Sequence, residues 1–261
     1  MVSKSLKNIH NLIKAANEQI PVHEAFLNDL VAVICKADET RSPSQSYKPS
    51  SLMCVRNMYY QIMGAEVSNQ NKDECLISMA DTGSHRHEFL QKHVTMMKDF
   101  GIDCEWVDVE EYVNKHCKEL GTIVKKKNGF EYKCFNEKYN MSFLCDGIIK
   151  YKGIYYILEI KTESSLKWSK RTSVDDKHKP QACCYSLCFG IDKVLFVYEN
   201  RDMCTKKAYL YKPTQHEIEE EVINKINTCE EYVKLCLAPP KCENKRVCAY
   251  CNYIDICKKE K

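Results

Sequence analysis

Phe143-Leu-Cys-Asp-Gly-Ile-Ile149 and, just beyond it, Ile154-Tyr-Tyr-Ile-Leu-Glu-Ile-Lys161 decide the architecture of this chain. Both stretches are short and rich in β-branched and aromatic residues, and Lys152-Gly153 separates them, so they read as two strands of an antiparallel hairpin. A strand period of two places Asp146 on the face of Leu144 and Ile148, and collects Ile157, Glu159 and Lys161 on one face of the second strand. Charged groups on such apolar strands cost several kcal/mol if left unpaired, which implies either pairing or a bound metal. The hairpin brings Asp146 near Glu159, where two carboxylates repel and a divalent cation is the simplest means of keeping both ionised. Oxygen donors favour Mg²⁺ or Mn²⁺. An ordinary salt bridge on a strand is the competing explanation of the same residues.

Outward from the hairpin, residues 120 to 161 carry several short β-prone runs broken by Gly129 and Lys152-Gly153, predicting a meander of three or four strands that begins the central sheet. Upstream, the first 40 residues read as helical, with a helix over roughly 23 to 36, and Arg41-Ser-Pro-Ser-Gln-Ser46 breaks them from the rest. Helices are also predicted over 51 to 63 and 84 to 98, where His87, Leu90, Val94 and Met97 share one face. Downstream come a polar loop, a helix near 180 to 189, and strands over 193 to 198 and 207 to 211. Thr214-x-x-Glu217 is a capping box opening a long amphipathic helix that Pro239-Pro240 stops. The expected organisation is one domain over 1–261: a helical part (1–46), a mixed-sheet α/β core (47–238) and a cysteine-rich lobe (239–261).

The 261 residues suffice for one sizeable α/β core. No run of about 18 apolar residues and no secretory apolar region occur, so a soluble, cytoplasmic protein without a membrane partner is expected. No phosphate-binding G-x-x-x-x-G-K-[ST] loop and no internal repeat is found. The net charge of +3 does not by itself call for a nucleic acid. Its clustering is more informative: Lys125, Lys126 and Lys127 form one run, and Lys167, Lys170, Arg171, Lys177 and Lys179 crowd the segment after Lys161. The first run also suits a plain solvated face.

Seventeen cysteines in a long chain carrying 29% charged residues do not read as a disulfide scaffold, and Cys183, Cys184 and Cys188 suit small reduced core residues. Cys248, Cys251 and Cys257 are different. Their C-x2-C-x5-C spacing lets three sulfurs from adjacent turns reach one metal centre. A fourth ligand must come from elsewhere. A centre closed by a distant cysteine would staple remote chain regions and couple the metal to the fold.

Taken in order, Gly83-x-x-x-His87, Asp146, Glu159-x-Lys161 and Gln181-x-x-x-Tyr185 resemble the RecB-like branch of the PD-(D/E)XK nucleases, from about residue 48 to the end. The resemblance implies a restriction-endonuclease-like mixed sheet flanked by helices and hydrolysis of DNA phosphodiesters. It implies metal ligation by His87, Asp146 and Glu159 with the backbone carbonyl of Ile160, catalysis by Lys161, and positioning of DNA by Gln181 and Tyr185. His85 is the second candidate histidine. The usual proline before the first acid is replaced by Cys145. Ser51-Leu-Met-Cys54-Val-Arg56 followed by Tyr59-Tyr60 resembles the upstream cysteine motif of CRISPR-associated and AddB-type exonucleases. That makes Cys54 the fourth ligand of a [4Fe-4S] cluster with Cys248, Cys251 and Cys257; Zn²⁺ at the same thiolates is the alternative, and Cys242 is a spare thiol. The same resemblance suggests an exonuclease acting at ends with single-stranded character, with a sequence- or structure-specific endonuclease or a silent DNA-binding subunit as alternatives. CRISPR adaptation, phage recombination and DNA repair all fit, as do helicase, integrase or recombination partners. Lys167, Trp168, Lys170, Arg171 and Lys179 are candidate DNA contacts; Trp168 equally suits a core anchor.

Overall fold

A computed structural model describes residues 21–37, 45–67, 74–249 and 251–260. The chain divides into two units, 1–42 with 72–80 and 43–71 with 81–261. The first holds α1 (Val22–Ala37), none of whose residues is buried, and the opening turns of α3. The rest of the expected N-terminal helical segment, residues 1–20, lies outside the described residues.

In the second unit the order is α2 (Val55–Ile62), the body of α3 (Glu74–Met96), β1 (Cys104–Val107), α4 (Val109–His116), β2 (Thr122–Asn128), β3 (Glu131–Asn136), β4 (Met141–Cys145), β5 (Gly147–Tyr151) and β6 (Ile154–Glu163). Then follow α5 (Ser165–Ser169), α6 (Lys179–Phe189), β7 (Val194–Asn200), β8 (Lys206–Tyr211), α7 (Gln215–Ile218), a π turn (Glu219–Ile223), α8 (Asn224–Leu235), α9 (Lys245–Cys248) and α10 (Ile254–Lys259). Five strands form a mixed sheet in the order β1-β5-β6-β7-β8, with only β6 and β7 parallel; β2, β3 and β4 form a separate antiparallel sheet. This is the mixed sheet flanked by helices expected of a restriction-endonuclease-like α/β domain.

The alternation along β6 explains why helices cover both faces. Ile157 enters the main core with Ala182, Tyr185 and Phe189 of α6, whereas Leu158 and Ile160 join Leu90 and Val94 of α3 and Met97 just beyond its end. Burying each such side chain is worth about 1.5–3 kcal/mol, so both helices are held by packing. The parallel β6–β7 pair needs a crossover, which α5 and α6 supply.

Four expectations change. The meander over 120 to 161 is not one sheet: its first three strands form the small sheet and its last two enter the large one. Residues 143 to 149 are not one strand either, because the chain passes between sheets at Asp146 and the alternation restarts there; Leu144 is exposed while Asp146 and Ile148 are buried. The polar loop after β6 contains α5. The long helix begins at the expected capping box, where Thr214 and Glu217 exchange hydrogen bonds, but a π turn interrupts it. The β5–β6 hairpin itself turns where expected: Lys152 (φ 50°) and Gly153 (φ 77°) both take the left-handed conformation that a two-residue turn of the primed type requires.

Candidate active site

Glu159, Lys161 and Glu163 share one face of β6, and the first two point at α6. Lys161 forms an ion pair with Glu159 and donates a 3.0 Å hydrogen bond to Gln181 Oε1. Gln181 Nε2 in turn donates to the Tyr185 hydroxyl (2.6 Å), and that hydroxyl donates to the backbone oxygen of Leu144 (2.7 Å). The i,i+4 spacing that puts Gln181 and Tyr185 on one helical face therefore links the lysine to the end of β4.

Asp146 occupies the junction between the sheets, and Gly147 makes that position accessible. A Cβ on residue 147 would overlap the ring of Trp106, so only glycine lets β5 run against it. Asp146 Oδ1 lies 3.3 Å from His87 Nδ1, while Oδ2 accepts a 2.7 Å hydrogen bond from the Ile160 amide. Gln91, one turn beyond His87 on α3, donates to the Asp146 carbonyl oxygen at 2.7 Å. His87, not the exposed His85, is the histidine that meets the aspartate. Ile160 reaches Asp146 through its N–H.

The electrostatics are those of a site short of positive charge. Burial pushes the Glu159 carboxyl up to about 7, against the pull of Lys161, and Asp146 adds to the rise. Its Oε2 is buried with no hydrogen-bond partner, a costly state that invites a cation or proton. Burial opposes charge on Lys161 and on His87 too, but neighbouring carboxylates outweigh it and hold both above their ordinary values. Glu131, at the start of β3, completes the surroundings: ligand atoms of His87, Glu131 and Asp146 all lie within 4.8 Å of one another. No motif announces Glu131, whose place depends on the small sheet packing beside the large one. Gln91 was readable from its i,i+4 relation to His87.

The basic segment after β6 is less available than its composition suggests. Arg171 is buried and donates through both Nε and Nη2 to Glu163, each at 2.6 Å, and to Asp175 at 3.0 Å. Lys167 pairs with Glu163 and Asp175, and Lys179 with Asp176. Trp168 is half-buried against the main core, its indole N–H on the Tyr198 carbonyl and Lys207 above its ring. Lys170 is exposed.

Cys54, Cys242, Cys248, Cys251 and Cys257 line a mostly apolar cavity of about 170 Å³ with Arg56, Asn57, Tyr60 and Ile254. Cys54 caps α2, its sulfur accepting from the Asn57 amide (3.4 Å), and the Asn57 side chain donates to Cys251 Sγ (3.2 Å). Arg56 ties the region to the C-terminal segment through the Pro239 carbonyl and Glu260 (2.6 Å each). Burial lifts the Cys54 thiol to about 11.

No protein-family description matches the sequence, and no curated protein does. Among solved structures the chain is similar to SSO0001, at 17% identity and a TM-score of 0.45, over 89% of this chain and 96% of that one. It is also similar to the alkaline exonuclease LHK-Exo from Laribacter hongkongensis, at 14% identity and a TM-score of 0.42, over 74% of this chain and 92% of that one. The complex of LHK-Exo with dAMP gives 15% identity and a TM-score of 0.41.

Proposed function

We propose that this chain is a divalent-cation-dependent deoxyribonuclease of the PD-(D/E)XK type that degrades DNA from ends with single-stranded character. The observation that carries the proposal is the convergence of His87, Asp146, Glu159 and Lys161, drawn from α3, the sheet junction and β6, around a buried carboxylate oxygen that lacks a partner.

The donor set fits a hard cation: two carboxylates, one imidazole and the nearby backbone of Ile160. His87, Asp146 and Glu159, with the Ile160 carbonyl, would hold Mg²⁺ or Mn²⁺. When bound, the cation supplies Lewis acidity towards a phosphate oxygen and acidity to a bound water. Glu159 and Asp146 outweigh burial and hold the Lys161 ammonium above its ordinary value, so it would serve as a positive charge beside the attacked phosphorus. Gln181 holds that ammonium in place, and Tyr185 braces Gln181 against β4. Together they orient the lysine before the phosphodiester arrives.

The five-cysteine cavity fits a soft metal centre, since thiolates select iron–sulfur clusters or zinc. In this reading Cys54, Cys248, Cys251 and Cys257 hold a structural [4Fe-4S] cluster that joins α2 to the C-terminal lobe, with Cys242 unused. Anaerobically purified protein is then brown and carries iron, and Cys54→Ala or Cys251→Ala bleaches it. Stoichiometric zinc without iron replaces the cluster with a zinc site.

The activity is tested on end-labelled linear and closed circular single-stranded DNA with Mg²⁺ or Mn²⁺. Linear DNA is degraded from an end and circles resist. Equal rates on both favour an endonuclease, and no cleavage of either overturns the reading.

A further inference from the structure

The small sheet and the Lys125-Lys126-Lys127 run it carries have no part in the reaction as described. Strand alternation sends Tyr132, Cys134, Met141, Phe143 and Cys145 into the main core from one face of that sheet. The other face is fixed by register: Lys126 stands opposite Lys133, Lys133 opposite Leu144, and Phe135 opposite Ile123 and Ser142. This face is open. Leu144 is 54% exposed, Lys126 and Lys133 are exposed, and Phe135 is partly so. A bulge after Val124 gives the three lysines different surroundings. Lys125 lies over the Phe135 ring, and Lys127 over that of Tyr132 with its ammonium 3.5 Å from Asp108. Lys126 faces another cation: side chains paired across antiparallel strands stand about 4.5–5.5 Å apart, and neither Lys126 nor Lys133 has an ion pair among the described residues.

Two ammonium groups so placed repel, and a sheet that keeps them together is prepared for an anion from outside. The same face opens onto the centre. Glu131 shares it, two residues before Lys133, and a carboxylate oxygen of Glu131 lies within 4.8 Å of ligand atoms of His87 and Asp146. Leu144 shares it two residues before Asp146, and its carbonyl accepts from the Tyr185 hydroxyl. At about 3.3 Å per residue, Lys133 and Phe135 stand about 7 and 13 Å along β3 from Glu131. The face is also divided across its width, with Lys126 on the β2 side and Leu144 on the β4 side. A single strand of DNA has the matching pattern, phosphates along one side and unpaired bases with apolar faces along the other. In a duplex the bases are stacked inside, and Leu144 and Phe135 would have nothing to meet.

We infer that the open face of the small sheet is the floor along which one DNA strand reaches the centre, with phosphates on Lys126 and Lys133 and bases against Leu144 and Phe135. Given the proposed deoxyribonuclease, on which this assignment rests, the small sheet delivers the strand to His87, Asp146 and Glu159. The segment after β6 is a separate surface, which leaves Lys170 to the other flank of the cleaved bond. Because the floor meets the backbone and the faces of bases, and not their edges, it is indifferent to sequence.

Two probes of the full chain separate binding from chemistry: a fluorescent oligothymidylate titrated in chelator over a salt series, and the p-nitrophenyl ester of thymidine 5′-monophosphate with Mn²⁺, which is too short to reach the floor. Lys126→Gln and Lys133→Gln should each lower the slope of log affinity against log salt by about 0.7, the share of one phosphate contact. Each should melt no lower than wild type, because it relieves a repulsion. Phe135→Leu keeps apolar bulk but loses the ring face, and should weaken oligothymidylate binding about fivefold or more with the slope unchanged. All three variants should hydrolyse the ester at the wild-type rate. Unchanged slopes in both lysine variants, unchanged affinity in Phe135→Leu, or losses confined to a blunt duplex each overturn the inference. If the slopes fall in a chain that hydrolyses neither ester nor DNA, the floor stands and the nuclease reading fails. If DNA is degraded while the slopes hold, the nuclease reading stands and the floor fails.

Discussion

Glu159 and Glu163 lie on the same face of β6, are 2% and 3% exposed, and have opposite characters. Glu163 receives a two-point guanidinium bond from Arg171 and the ammonium of Lys167, which together hold its carboxyl below the ordinary value despite burial. Glu159 has one cation, Lys161, which also serves Gln181, and burial wins: its carboxyl rises to about 7. One strand thus carries a satisfied carboxylate and, two steps of the alternation away, an unsatisfied one. Burial is common to both, so it does not mark a reactive group. The balance of partners does.

The largest effect separates the two in activity. Asp146→Asn, Glu159→Gln and Lys161→Ala should each lower cleavage on the order of 10²–10⁴-fold, the range for removing a charge that acts on the transition state. In chelator, Glu159→Gln should lose less stability than Arg171→Ala, since it removes a buried carboxylate with one unpartnered oxygen while Lys161 keeps its hydrogen bond to Gln181. A marked loss of stability in that variant, with cleavage retained, would place Glu159 beside Glu163 as a structural group.

The reverse experiment follows from the clamp. Arg171→Ala strips Glu163 and Asp175 of their shared partner in a buried setting and should cost about 3–5 kcal/mol of stability, read by denaturant unfolding. The pH dependence carries the same sign. Glu163 and Asp175 are both depressed in the folded chain, from reference values of 4.5 and 3.8, so their contribution is complete above about pH 5. As pH falls below 4.5 the unfolded chain takes up protons first, and stability declines until the folded values are passed. Arg171→Ala should flatten this acid limb in a series of melts from pH 7 to pH 3. Glu159 works the other way, since its raised value favours the folded chain as pH falls from above 7 towards 4.5.

The contrast was only partly legible in sequence. The hairpin, its Lys-Gly turn and the i,i+4 pair on α6 are local patterns, and each lies where its period places it. Asp146 is harder: β4 and β5 follow one another with a single residue between them, so nothing in the residue types marks the passage from one sheet to the other. Glu131 is harder still, because its neighbours are set by sheet packing. Arg171 misleads by composition. It sits in a run of cations suited to a phosphate backbone, but Asp175 four residues on and Glu163 eight residues back turn it inward.

The smallest effect concerns the cations that remain outside the clamp. Lys167 and Lys179 are already paired with carboxylates, whereas Lys170, at the end of α5, is exposed and has no ion pair among the described residues. A free ammonium can neutralise a phosphate and release its counterion, while a paired one must first give up its partner. Lys170→Ala should therefore weaken binding of single-stranded DNA to a similar extent for different sequences, and reduce the slope of log affinity against log salt by about 0.7, the share of one phosphate contact. Lys167→Ala should change that slope less. If Lys170→Ala leaves the slope untouched and Lys126→Ala on β2 lowers it, the path of the strand runs over the small sheet, on the side of Glu131, and not along the segment that follows β6.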